Sequence, residues 1–241
     1  MRGSGELISR QMRRWELDRH LSERFDRDEA EANVRGNVIT VSRERGSGGT
    51  LVGMMVAKEL DWEFYDRERI NRVAEQMGIE PQRVEAHDER PPRFVASMVL
   101  QLLEGKCPTP GQYLRTLIRI MRKIRTRGNA VVMGRGGNLI LPDALRVRIV
   151  APLEIRLERV AELEDMTLAD ARKQVLSDDR ERAEFIRAHF GVDPADPTYY
   201  DLTLNTGAMN LEHAAQLVIC ALRNRREAAQ QAGSEPPPAA A

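Results

Sequence analysis

Residues 38–60 read VITVSRERGSGGTLVGMMVAKEL: an apolar run, a glycine-rich turn and an amphipathic run. The first part is typical of a buried β-strand and the last of an α-helix. A glycine turn between strand and helix lets backbone amides converge on an anion at the helix N-terminus, where the helix dipole also favours negative charge. The stretch therefore predicts a phosphate-binding loop; a plain glycine turn that only opens a helix is the alternative.

The loop departs from the usual pattern G-x-x-x-x-G-K-[ST] at two positions. Arg43 occupies the place of the leading glycine, and Gly49 occupies the place of the lysine. Lysine is rare in this chain, so almost all its positive charge is arginine; the lysines are at 58, 106, 123 and 173. Arginine binds phosphate well but does not serve as a proton-transfer base.

Short β-rich runs alternate with helical runs along the rest of the chain, which is typical of an α/β fold with a parallel sheet and crossover helices. The predicted strands are 37–42, 62–65, 130–133, 147–150 and 201–204. The predicted helices are 50–60, 67–77, 93–104, 111–127, 153–163, 167–189 and 210–228.

Composition excludes several classes of partner and chemistry. The 241 residues carry 37 Lys+Arg and 37 Asp+Glu, so the chain as a whole has no net attraction to nucleic acid or to an anionic membrane. The sequence has no apolar run long enough for a membrane span and no signal peptide, so we expect a cytoplasmic protein. Two cysteines and four histidines, all scattered, disfavour zinc hydrolysis and cysteine-nucleophile chemistry.

The two ends of the chain differ in composition from the domain between them. Residues 1–36 are predicted to form a charged helical extension, whose apolar residues fall on two opposite faces. It is expected to lie on the domain or to form a homodimer contact. Residues 37–226 form the predicted domain, and residues 227–241 end in proline and alanine and are predicted to be a disordered tail.

Four segments together resemble the cytidylate kinase-like family over about residues 37–225: SRERGSGG, FYDRERI, MGRGGNLILPDALRVRIVAPLEIRLERV and YYDLTLNTG. The resemblance implies the P-loop nucleoside monophosphate kinase fold, a five-stranded parallel sheet with helices on both faces, an acceptor-binding helical insertion and a lid. It implies transfer of the γ-phosphoryl group of ATP, with Mg²⁺, to a nucleoside monophosphate, with CMP or dCMP expected. Small nucleotides are thus the expected partners.

The resemblance also assigns the acceptor residues. Asp66 and Arg72 match the aspartate and arginine that open the acceptor site, and Arg135 matches the arginine of the family's G-R-D segment. We expect Arg72 and Arg135 to converge on the acceptor phosphate. Gly136 stands where cytidylate kinases have the aspartate associated with the cytosine amine, so weaker base discrimination is expected.

For the donor, the resemblance implies that loop amides hold the triphosphate. These are the amides of Gly46, Ser47, Gly48, Gly49 and Thr50. A hydroxyl of Ser47 or Thr50 is expected near Mg²⁺. Arg43 or Arg45 is expected to supply the missing lysine's charge, Arg45 being preferred because it adjoins Gly46. Asp179 and Arg182 match the D-x-x-R element of the lid, whose arginines close over the transferred group. Asp179 is therefore expected to bind substrate and Arg182 to act in catalysis.

Two other functions fit the same sequence. One is a nucleotide-binding regulatory module without transferase activity, which the missing lysine favours. The other is a kinase of a different small metabolite, since fold does not fix substrate. Retention of the acceptor and lid arginines favours an enzyme, because a pure binding module does not need them.

Overall fold

The computed structural model describes residues 37–76 and 110–234. Five parallel strands form one sheet in the order β2-β3-β1-β4-β5, which confirms the predicted α/β class and the five-stranded parallel sheet. Each strand lies within two residues of its predicted position: β1 (Val38–Arg43), β2 (Glu63–Tyr65), β3 (Ala130–Met133), β4 (Leu145–Val150) and β5 (Leu202–Asn205).

Helices cover both faces of the sheet and are numbered here in chain order within the described ranges. They are α1 (Gly49–Glu59), α2 (Arg67–Gln76), α3 (Pro110–Arg127), α4 (Gly137–Ile140), α5 (Leu153–Leu163), α6 (Leu168–Phe190) and α7 (Leu211–Ser234). The short α4 and a 3₁₀ turn at Pro197–Tyr199 were not predicted, because both are too short to show a helical period. The predicted helix 93–104 lies outside the described residues.

The central strands are apolar because both of their faces are buried. Val38, Ala130 and Val132 pack with α2 and α3 on one face. Ile39, Val41, Val131 and Met133 pack with α1 and α7 on the other. This arrangement fixes the carboxyl ends of β1 and β3 side by side, and the glycine loop continues from the end of β1.

Strand β4 follows a different pattern that matters for the site. Leu145, Val147 and Ile149 are buried in the core shared with α7, whereas the two arginines between them are only partly buried. Strand alternation places Arg146 and Arg148 on the face opposite that core. Arg148 thereby reaches the cleft described below.

The predicted tail begins too early. Helix α7 continues to Ser234, so residues 227–234 are helical rather than disordered. The physical reason is that alanine, glutamine and glutamate favour a helix, and the first proline of the tail comes only at Pro236. Residues 235–241, the extension 1–36 and its homodimer contact lie outside the described residues. Among the described helices, none is both long and apolar enough to cross a membrane.

Candidate active site

An open cleft lies at the carboxyl ends of β1, β3 and β4, where ligands of open parallel sheets bind. Four arginines line it: Arg43, Arg135, Arg148 and Arg182. The rest of the wall includes aromatic and apolar side chains, namely Leu139, Phe185, Ile186, Val192, Pro194, Tyr199 and Tyr200. The cleft thus combines cationic groups for an anion with an apolar wall for a planar or aliphatic group.

The glycine loop beside this cleft depends on left-handed backbone at two residues. Gly46 has φ +78° and Gly48 has φ +75°, and Gly48 caps the N-terminus of α1. Neither position has room for a side chain. A Cβ at Gly46 would lie 2.5 Å from the carbonyl oxygen of Arg156, and one at Gly48 would lie 2.6 Å from Leu211 Cδ2. The predicted loop conformation is therefore built into the packing of α5 and α7.

The two hydroxyls predicted near Mg²⁺ have different environments. Ser47 is completely buried, and its Oγ donates to the carbonyl oxygen of Glu44 at 2.8 Å. Thr206 Oγ1 donates to the carbonyl oxygen of Ser47 at 2.7 Å, which links the loop to the residue that follows β5. Thr50, in the first turn of α1, is exposed. Thr50 is therefore the hydroxyl that a ligand can reach in this conformation.

Arg43 and Arg45, the two candidates for the missing positive charge, diverge in space. Arg43 lines the cleft. The guanidinium of Arg45 turns the other way and forms ion pairs with Glu164 and with Asp178, the latter at 3.4 Å. Both acids belong to the α5–α6 hairpin, so Arg45 fastens the loop to that hairpin.

Asp179 on α6 joins three elements around the loop. Its carboxylate accepts hydrogen bonds from the backbone N–H of Arg45 at 2.8 Å, from the guanidinium of Arg156 and from that of Arg182 at 3.1 Å. Arg156 on α5 is 8% exposed. The sequence placed Asp179 among the substrate-binding residues; its three hydrogen bonds here go to the protein, while Arg182 reaches the cleft.

Arg135 lies in the cleft with an unusual backbone. Its φ is +54°, in the left-handed region that costs a residue with a side chain of order 1–3 kcal/mol, and such strain concentrates at functional sites. The neighbouring Gly136 packs under an aromatic ring, since a Cβ there would lie 2.5 Å from Phe190 Cε2. The space that the family's aspartate would need at 136 is thus taken by Phe190.

Two predicted acceptor residues lie elsewhere. Asp66 caps α2, its Oδ1 accepting from the backbone N–H of Arg69 at 2.8 Å. Arg72, farther along the same helix, pairs with Glu68 at 3.6 Å, and its side chain is 68% exposed. Neither residue lines the cleft with Arg135. Residues 77–109 lie outside the described ranges.

Sequence reasoning missed Glu44 and Arg148. The Glu44 carboxylate lies 3.5 Å from Arg148 Nη2 and 3.6 Å from Arg156 Nε, so it ties the loop to β4 and α5. Arg148 also donates to the carbonyl oxygen of Pro194 at 2.6 Å and lies over the Tyr200 ring. The alternation of apolar residues and arginines in β4 could have indicated Arg148. Nothing in the sequence around Glu44 indicates its role, because that role depends on partners far along the chain.

No group of three or more histidine, cysteine, aspartate or glutamate side chains suited to a metal occurs within residues 37–76 and 110–234. A magnesium ion bound with nucleotide takes most of its ligands from phosphate and water, so one hydroxyl such as that of Thr50 fits it.

Comparison with known proteins finds one family and several relatives that this chain resembles. The family model of the cytidylate kinase-like family matches residues 38–208. A cytidylate kinase of Ignicoccus hospitalis is 28% identical over 186 residues, covering 75% of this chain and 96% of that protein. A cytidylate kinase of Methanocaldococcus jannaschii is 23% identical over 197 residues, covering 79% of this chain and 99% of that protein.

A solved structure shares the fold. It is an uncharacterised protein from Eubacterium ventriosum, with a TM-score of 0.60 and 19% identity, and the match covers 78% of this chain and 98% of that one. At this identity the likeness bears on the fold alone.

Proposed function

We propose that this chain, which belongs to the cytidylate kinase-like family, transfers the γ-phosphoryl group of ATP to a nucleoside monophosphate, with CMP or dCMP as the expected acceptor. Family membership supports the broader statement that the protein is a kinase of a nucleotide or another small metabolite. The ATP dependence and the acceptor are our proposal.

The observation that carries the proposal is the set of four arginines lining one cleft beside the glycine loop. Phosphoryl transfer between two nucleotides brings several negative charges together, and catalysis of this reaction is almost entirely positioning and charge stabilisation. An acceptor phosphate oxygen forms the new bond to the γ-phosphorus as the bond to the bridging oxygen breaks, and ADP leaves with that electron pair. No side chain needs to become covalently bound.

Each part of the site has a separate task in this proposal. The amides of Gly46, Gly48, Gly49 and Thr50 would hold the donor phosphates at the N-terminus of α1, where the left-handed glycines let backbone N–H groups converge. The Ser47 N–H, also expected there, instead donates to the carbonyl oxygen of Glu44 at 3.3 Å. Thr50 would supply the protein hydroxyl to Mg²⁺, which neutralises charge on the donor phosphates. Arg182 would close over the transferred group, and Asp179 would orient Arg182.

Because position 136 is a glycine rather than an aspartate, we expect the protein to discriminate less strictly between nucleobases. With Gly136 under the Phe190 ring, that carboxylate is absent and has no room. A site that does not hydrogen-bond the cytosine amine loses much of its basis for rejecting other bases. We therefore expect transfer to UMP as well as to CMP and dCMP.

The test measures ADP release from ATP with CMP, dCMP, UMP, AMP and non-nucleotide acceptors, followed by identification of the phosphorylated product. Acceptor-dependent ADP release with a nucleoside monophosphate is the expected result. Calorimetry with a non-hydrolysable ATP analogue separates the alternatives. Binding without transfer to any acceptor would favour the regulatory module, for which Gly49 in place of a lysine is the supporting observation. Transfer only to a non-nucleotide acceptor would favour the other kinase.

A further inference from the structure

We propose that Arg43 and Gly49 exchange the two roles found at the ends of a usual phosphate-binding loop. In G-x-x-x-x-G-K-[ST], glycine holds the first position and lysine the seventh. Here arginine holds the first and glycine the seventh, so the charge on the donor phosphates comes from residue 43. The inference rests on the proposed function, since it requires a nucleoside triphosphate at the glycine loop.

Position 49 is a glycine because of space, not backbone conformation. Its φ is not among the positive values found at Gly46 and Gly48. A Cβ at Gly49 would lie 2.5 Å from Arg43 Cβ and 3.2 Å from its Cγ, and the first distance is shorter than real Cβ contacts allow. A side chain can therefore occupy position 43 or position 49, but not both without a shift of the backbone.

The far end of the Arg43 side chain is also accommodated by a glycine. A Cβ at Gly134 would lie 2.5 Å from Arg43 Nη1. Gly134 follows β3, so the guanidinium spans from the end of β1 to the end of β3. There it lines the same cleft as Arg135 and Arg182. A guanidinium at this edge can bind two phosphate oxygens through parallel N–H groups.

Arg45, the other arginine of the loop, is engaged elsewhere by its ion pairs with Glu164 and Asp178. The Arg45 side chain therefore points to the α5–α6 hairpin, whereas that of Arg43 lines the cleft. This placement favours Arg43 over its neighbour as the replacement for the lysine.

The steric half of the proposal is tested by thermal unfolding of Gly49→Ala, Arg43→Gly and the double variant. Gly49→Ala is expected to lower the Tm. In the Arg43→Gly background the same change should cost less, because the 2.5 Å contact is gone and the Ile149 Cβ contact at 3.1 Å remains. Equal losses of Tm in the two backgrounds would overturn mutual exclusion of the two side chains.

The charge half is tested by calorimetry with a non-hydrolysable ATP analogue. A charge-assisted hydrogen bond of ordinary strength predicts that Arg43→Ala weakens binding by about tenfold to a hundredfold. Arg172→Ala, which removes an exposed arginine of α6, is the matched control and should bind as wild type. The variant Arg43→Gly/Gly49→Lys restores the usual pattern and should bind within about tenfold of wild type, whereas Gly49→Lys alone should not.

The two proposals fail in different ways. A wild-type protein that binds no triphosphate would overturn the proposed function and this inference with it. Wild-type binding retained in Arg43→Ala, in a protein that binds and transfers, would overturn only the inference. Binding by Arg43→Gly/Gly49→Lys no better than by Gly49→Lys alone would overturn the exchange of roles.

Discussion

Gly48 meets two separate obstacles to substitution: a left-handed backbone at φ +75° and the side chain of Leu211. Gly191, at the C-terminus of α6, has a similar φ of +70° but nothing within 4 Å of a Cβ. The pair therefore separates backbone strain, which costs about 1–2 kcal/mol for an L-residue, from crowding at the phosphate loop.

We predict that Gly48→Val abolishes binding of a non-hydrolysable ATP analogue. The valine would move the loop amides away from their positions at the N-terminus of α1. Gly191→Val should lose similar stability from the backbone alone and still bind. Calorimetry measures the binding and thermal unfolding checks that both variants are folded at the assay temperature. Unchanged affinity in Gly48→Val would remove the loop from the nucleotide site.

Asp179 holds the loop to α5 and α6. Its carboxylate accepts hydrogen bonds from the backbone N–H of Arg45 and from the side chains of Arg156 and Arg182. We predict that Asp179→Asn destabilises the protein by about 1–3 kcal/mol, since the largely buried Arg156 loses the nearer of its two carboxylate partners and keeps only Glu44. It should also weaken triphosphate binding. Chemical denaturation and calorimetry measure the two effects.

Glu184→Gln is the matched control for that change, because Glu184 is exposed on the same helix. It should leave both stability and binding as in wild type. An Asp179→Asn variant with wild-type stability and affinity would show that the loop does not depend on this carboxylate for its position.

The attachment of β5 and α7 to β4 depends on pH through Asp201. Burial tends to raise the pKa of Asp201, but hydrogen bonds from Arg146 and the charges of Arg146 and Arg225 outweigh it, and the pKa is lowered overall. A lowered folded-state pKa means that the carboxylate stabilises the fold above its unfolded pKa of about 3.9. That stabilisation is lost as the pH falls through the folded pKa.

We predict that Asp201→Asn is less stable than wild type from pH 7 down to about pH 5, and that the difference shrinks below about pH 4. Unfolding free energies measured across this range check it. Asp170 and Asp196 also have lowered pKa values, through hydrogen bonds from Thr167 and Thr198, so only the difference between the two proteins isolates Asp201. A difference as large at pH 3 as at pH 5 would contradict the assignment.

Across the whole molecule, the sequence predicted what depends on neighbouring residues and missed what depends on distant ones. The five strands and the loop follow from periodicity and glycine placement, which are local. The divergence of Arg43 and Arg45 could not be predicted, because it is decided by Gly134, Glu164 and Asp178, which come from other elements. The packing of Gly136 against the Phe190 ring is a contact of the same kind.

The proposed acceptor site extends from Arg135, which follows β3, to Arg72 on α2. A phosphate dianion in a partly desolvated cleft requires more than one charge-assisted donor, and these are the two arginines that the family resemblance assigns to it. The two side chains have different environments in this structure: Arg135 lines the cleft, whereas Arg72 is exposed and paired with Glu68. The proposal therefore requires that Arg72 leave Glu68 when an acceptor binds.

We predict that Arg135→Ala and Arg72→Ala each raise the KM for the acceptor nucleotide much more than the KM for ATP. Arg180→Ala, an exposed arginine on α6, should change neither value. Because Arg72 has to break an exposed ion pair, worth less than about 1 kcal/mol, Glu68→Gln should lower the acceptor KM slightly or leave it unchanged. Steady-state kinetics with CMP and ATP varied in turn measure all four variants. An acceptor KM that stays at the wild-type value in Arg72→Ala would confine the phosphate site to the cleft around Arg135, and the same result in Arg135→Ala would remove it from the cleft.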